Sequence, residues 1–248
     1  CDVACPTEVM AQKALIWVDA TDTDHLVGEG DVVSVWYDRR ETDMSAPTYC
    51  RASAYTGYTT DLPQKATLED GSAAVYFGGI ASGQAMEWLN PAGSRVALGT
   101  WQKCVKQVFV VHSVVNTYGL IFGAFTNEAQ YMRDSTHSKN LDNFYWSGNN
   151  VRSTMTNGRT YLDGERIDGS STRVKTGLHL LEGRASWSDA ARTSGFFGGS
   201  SKDGSGGDYI CEAIAFTNQL TEAERLQVTD YLMAKWLPKN QKRKVAVE

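Results

Sequence analysis

The sequence is short of the features that mark most enzyme and membrane classes. It has no run of about 18 apolar residues, so no segment reads as a bilayer-spanning helix. With 5 prolines in 248 residues it is not a disordered proline-rich chain. Basic charge is scarce as well: the formal net charge is -5, and only the tail Lys239–Lys244 concentrates lysine and arginine. That balance repels a phosphate backbone and argues against nucleic acid as a partner. The five cysteines, Cys1, Cys5, Cys50, Cys104 and Cys211, form no CxxC pair or Cys/His cluster with zinc spacing. The four histidines make no HExxH, no GxSxG elbow exists, and the Gly/Ser-rich stretch 198–207 lacks the Gly-Lys-Ser/Thr ending of a phosphate loop.

What is abundant is β-forming and turn-forming. There are 7 Trp, 11 Tyr, 8 Phe and 23 Gly, a composition suited to short strands joined by tight turns. Runs of strand length stop at turn residues over Ala14–Asp19, Val32–Tyr37, Ala74–Phe77, Gln107–Val115, Leu120–Phe125, Leu178–Leu181 and Tyr209–Phe216. The pair Gln107–Val115 and Leu120–Phe125 flanks a connection of hairpin length, and Thr160–Ile167 folds around Asp163-Gly164, a type I′ turn pair. Consecutive antiparallel pairing without βαβ alternation is the expectation. One segment reads as a helix: Thr221 and Glu224 make a reciprocal capping box, and Val228, Tyr231, Leu232 and Trp236 follow on one stripe.

Leu15-Ile16-Trp17-Val18-Asp19-Ala20 with Val35-Trp36-Tyr37-Asp38 opens the chain. Gly207-Asp208-Tyr209-Ile210-Cys211-Glu212-Ala213-Ile214-Ala215-Phe216, then Leu220-Thr221-Glu222-Ala223-Glu224-Arg225 and Tyr231-Leu232 to Lys235-Trp236, closes it. On these segments, and on Phe196-Phe197-Gly198-Gly199 before them, the chain resembles the concanavalin A-like lectin/glucanase superfamily in its laminin G-like form, as found in bacterial surface proteins. The resemblance implies an all-β jelly-roll sandwich of two antiparallel sheets with a short C-terminal helix, the first and last strands being neighbours. The expected organisation is a lead segment at 1–12, the sandwich at 13–237 and a charged tail or linker at 238–248.

That superfamily hosts lectins, hydrolases, adhesins and passive spacers, so fold alone does not select a function. The paired carboxylates of a retaining glycosidase, about 5 Å apart on one strand face, have no matching Glu-x-Asp-x-(x)-Glu pattern. Asp163 and Glu165 read as a solvated hairpin tip, and His112 as a satisfied core histidine. Glu212 shares a strand face on paper with Ile210, Ile214 and Phe216, and reads as a buried tie between the first and last strands. The expectation is therefore a non-catalytic extracellular or cell-surface binding or adhesion module for carbohydrate or a surface glycoprotein. A passive assembly domain and a sandwich-fold hydrolase or lyase are the alternatives.

Sugar sites combine an aromatic platform with amide, acid or guanidinium groups. Trp146 with Asn149, Asn150 and Arg152 is the leading candidate, followed by Trp88 (with Asn90) and Trp187 (with Asp189), and Trp101 is a further loop aromatic. Asp19, Asp22 and Asp24 stand close enough to suggest Ca²⁺, against the simpler reading of a solvated acidic turn. Cys1 is a candidate lipid anchor, which would leave Cys5, Cys50, Cys104 and Cys211 for two disulfides in an oxidising compartment.

Overall fold

A computed structural model describes residues 5, 7–55, 62–78, 84–93, 107–114, 122–124, 159–169, 171–184, 195–198 and 208–238. Fourteen strands are among them: β1 (Ala14–Asp19), β2 (Leu26–Val27), β3 (Val35–Tyr37), β4 (Arg51–Tyr55), β5 (Gln64–Thr67), β6 (Ala73–Phe77), β7 (Ala85–Leu89), β8 (Gln107–Val114), β9 (Phe122–Ala124), β10 (Arg159–Leu162), β11 (Glu165–Ile167), β12 (Gly177–Arg184), β13 (Gly195–Gly198) and β14 (Asp208–Phe216). A short helix, α1 (Thr7–Lys13), precedes them, and α2 (Glu222–Trp236) follows.

The strands form two antiparallel sheets. The larger runs β11-β10-β12-β8-β14-β6-β5, and the smaller β2-β3-β4-β7-β13-β9. Strand β14 is the hub: β8 lies along one side, while β6 takes the first half of the other side and β1 the second. The first and last strands are therefore neighbours, with Ala14 opposite Phe216 and Asp19 opposite Glu212.

Two apolar layers hold the domain. Between the sheets, Ile16, Val18, Phe77, Val108, Val110, Leu181, Ile210, Ala213 and Ala215 of the larger sheet meet Trp36, Ala52, Met86 and Trp88 of the smaller. On the larger sheet's other face, Trp17, Phe109, Val111, Leu180, Cys211, Ile214 and Phe216 pack beneath Val228, Tyr231, Leu232 and Trp236 of α2 and Met10 of α1. Both faces of β8 and β14 are buried, which is why these strands read as continuous apolar runs.

Helix α2 starts as its cap foretells. The Thr221 side chain accepts from the Glu224 amide, and the Glu224 carboxylate accepts from the Thr221 amide at 2.9 Å. Its first turn is anchored by a buried chain in which Arg225 donates to Glu182 (2.9 Å), Gln107 donates to the same carboxylate (2.7 Å), and Gln107 accepts from the Leu220 amide (2.9 Å).

Three expectations change. The connection after β8 is not a hairpin, because β8 belongs to the larger sheet and β9 to the smaller; a hairpin-length link also serves to cross between stacked sheets about 10 Å apart. The lead segment holds a second helix, α1, whose last carbonyls are satisfied by Arg40: its guanidinium donates to Ala11 (3.1 Å) and Ala14 (3.0 Å) while gripped by Asp38. Finally, Ile210 and Glu212 do not share a face. A register shift between them, at Cys211, leaves Ile210 between the sheets and turns Glu212 toward α2. The expected Asp-Gly hairpin is present, with β10 and β11 joined through Asp163 and Gly164 at φ 52° and 79°.

Candidate functional site

Glu212 sits in a polar seam between β1, β14 and α2. Its carboxylate accepts from Trp17 Nε1 (2.8 Å), Tyr231 Oη (3.1 Å), Trp236 Nε1 (2.7 Å) and Lys235 Nζ (2.8 Å). Burial, reinforced by the nearby charge of Asp19, raises its pKa, with Lys235 and the indole of Trp236 acting against that rise. The four donors are side chains of two elements, Trp17 of β1 and Tyr231, Lys235 and Trp236 of α2. With every lone pair engaged, this carboxylate is a fastener.

Asp19 belongs to the same seam. One oxygen accepts from the Thr21 amide and hydroxyl, and the other faces Arg39 at 2.6 Å and Lys235 at 2.5 Å. Asp22 lies 2.8 Å from His25 Nδ1 and 3.8 Å from Arg39, while Asp24 is exposed on a single 3₁₀ turn. Asp19 and Asp22 thus face cations and local groups and Asp24 faces solvent, rather than all three turning to a common point. Among the described residues no group of three His, Cys, Asp or Glu side chains is placed to hold a metal ion.

Two further polar side chains are buried between the sheets. His112 has no exposed surface and neither ring nitrogen has a partner among the described residues, so it is not the satisfied core histidine expected. Burial pushes its pKa down to about 3, with His179 adding to the effect and Asp163 opposing it. Asp208, 1% exposed and likewise without a partner among those residues, is pushed up to about 8 by burial. Asp163 is no solvated tip: it accepts from the Leu180 amide (2.9 Å) and lies 2.8 Å from His179 Nδ1.

The outer face of the smaller sheet is different in character. Trp36, Ala52, Met86 and Trp88 point into the inter-sheet core, so by strand alternation Val35, Tyr37, Arg51, Ser53, Glu87 and Leu89 point the other way. The registers align Val35, Ser53 and Glu87 in one row, and Tyr37, Arg51 and Leu89 in the next. Glu87 is buried within this face, whereas Tyr37, Arg51 and Ser53 are half-buried. Neighbouring turns hold the two long side chains. Tyr37 Oη donates to the Met44 carbonyl (3.1 Å), Arg51 donates to the Pro91 carbonyl (3.5 Å), and the guanidinium stands 5.9 Å from the Tyr37 ring centre. Both helices pack on the larger sheet instead.

Of the residues expected to bind sugar, Trp88 is placed elsewhere: it is 2% exposed and belongs with Met86 to the core between the sheets. Trp146, Asn149, Asn150, Arg152, Trp187, Asp189 and Trp101 lie outside the described residues. Cys5, Cys50 and Cys211 are free thiols, so they are not joined in the two expected bridges; Cys1 and Cys104 lie outside the described residues. No described helix is long and apolar enough to cross a membrane.

Sequence reasoning missed Glu87, Arg51 and Tyr37. The signal was present in Met86-Glu87-Trp88, where one acid interrupts large apolar residues at strand spacing.

Architecture and side-chain placement together define an all-β sandwich with one sheet face sealed by helices. No family model, no curated protein and no solved structure matches the chain.

Proposed function

We propose that the protein is a non-catalytic binding module for carbohydrate, working at the outer face of the smaller sheet. The observation that carries this reading is the row arrangement of Tyr37, Arg51, Ser53 and Glu87 on the sheet face that neither helix occupies. A guanidinium donates to hydroxyl oxygens and a tyrosine ring offers its face to C–H groups, which is chemistry a sugar ring requires, and the buried Glu87 carboxylate stands in the row beside them.

The non-catalytic part rests on how the acids are used. Asp19, Asp38, Glu182 and Glu212 are each committed to cations or indole donors in buried ties. On the proposed face Glu87 is the sole carboxylate among the described residues of β3, β4 and β7, and glycoside hydrolysis ordinarily takes two. The extracellular or cell-surface setting remains part of the proposal, drawn from the resemblance to surface-protein sandwiches.

A glycan array probed with the intact chain and with Arg51→Ala tests the reading. The expected result is binding to a restricted set of glycans that falls at least tenfold in the variant. A domain that only spaces or assembles others gives no binding at any concentration, and that result overturns the proposal.

A further inference from the structure

His112 and His179 are register partners on β8 and β12, and their side chains fall on the inter-sheet face with Val110 and Leu181. They are held very differently. His179 lies 2.8 Å from Asp163 through Nδ1 and 3.3 Å from the Thr176 carbonyl through Nε2. Asp163, at a positive φ in the β10–β11 turn, also accepts the Leu180 amide, so this carboxylate clips the outer hairpin to β12. His112 has no such tie and no exposure.

We propose that the His112/His179 rung is an acid-operated seam: taking up a proton at His112 parts β8 from β12 and releases the β10–β11–β12 flank ahead of the rest of the sandwich. The groups around the ring decide this. From β12 it meets His179, whose proximity opposes a charge on His112. The Asp163 carboxylate is already engaged by His179 and Leu180. On β14, Ile210 is the direct partner of His112 and Asp208 is the diagonal one; burial keeps that carboxyl protonated in acid. The smaller sheet presents Trp36, Ala52, Met86 and Trp88 to the shared core, all without charge.

Among the described residues an imidazolium at this position has no free anion to meet, and an unpaired buried charge is among the costliest groups a core can hold. Hydration through an opened rung is the available relief. The break falls between β8 and β12 because β8 is bound on its other side along the whole of β14, and β14 in turn to β1 and β6. Beyond β12 the described part of the larger sheet has only the short hairpin β10–β11, and the tie of β12 to α2, Glu182 with Arg225, lies three residues past the rung.

Hydrogen–deuterium exchange of the intact chain between pH 7 and pH 4, corrected for intrinsic rates, tests the proposal. Protection over 159–167 and 177–184 is expected to fall at least tenfold while that over β3, β4 and β7 is kept, and His112→Phe is expected to abolish the fall. Equal loss across both sheets, or an unchanged fall in the variant, overturns it. If the variant does not fold, imidazole NMR of the unaltered chain decides: His112 is expected to stay neutral until the flank signals change. A titration near its ordinary 6.5 with an intact spectrum contradicts the seam.

Discussion

The ammonium of Lys235 lies 2.5 Å from Asp19 and 2.8 Å from Glu212, bridging two carboxylates that face each other across the first and last strands. Both acids are buried, and Lys235 arrives from the last turn of α2. One cation thus joins the first strand to the last strand and to the helix that follows it.

Removing that cation leaves two buried carboxylates side by side with Arg39, on the Asp19 side, as the remaining cation. Lys235→Met is expected to lower stability at neutral pH by about 3–5 kcal/mol, the usual cost of breaking a buried ion pair from one side. Adding Glu212→Gln to it should restore part of the loss, because one anion is then neutral. Urea unfolding of both single variants and the double variant gives the coupling directly.

Asp208 sets a pH dependence of opposite sign to that of ordinary buried ion pairs. Its carboxyl is raised from 3.8 to about 8, so the folded state holds a proton that the unfolded chain has released. The stabilising contribution is complete below pH 3.8 and is lost progressively as pH rises toward 8. Asp208→Asn is therefore expected to be more stable than the native chain at pH 8.5, by roughly 1–3 kcal/mol, with the gap closing in acid. Thermal melts across that range check it; a variant less stable at high pH contradicts the assignment.

The capping box of α2 gives a smaller and cleaner test. Thr221→Ala removes the acceptor for the Glu224 amide and leaves the Glu224 carboxylate without its reciprocal partner hydroxyl. A loss of about 1 kcal/mol is expected, read by denaturant unfolding. Glu224→Gln keeps an acceptor for the Thr221 amide but gives up the charge facing Lys13, so its loss should shrink in high salt.

The ends of the chain were the readable part. Leu15–Asp19 and Tyr209–Phe216 carry apolar side chains on both faces because both faces are covered, and the Thr221/Glu224 pair marks a helix start by local chemistry alone. What misled was non-local. The shift at Cys211 moves Glu212 to the helix side, and strict alternation cannot register one extra residue. Trp88 reads as a loop aromatic beside Asn90, yet its strand is set by pairing with Arg51–Tyr55, whose Ala52 and Ala54 are too small to signal a buried face. Strand β5 was concealed in a polar connection because it is an edge strand with exposed Gln64 and Thr67. The proposed binding face shares that difficulty, since Tyr37, Arg51 and Glu87 come from three strands brought together only by sheet order.

Backbone amide chemical-shift mapping with a glycan that binds on the array tests the central claim most directly. The account predicts shifts clustered at Tyr37, Arg51–Ser53 and Glu87–Leu89, weakened in Glu87→Gln, with the α2 layer silent. Shifts confined to α2 and β1, or a saturating glycan that leaves β4 and β7 unmoved, would contradict it.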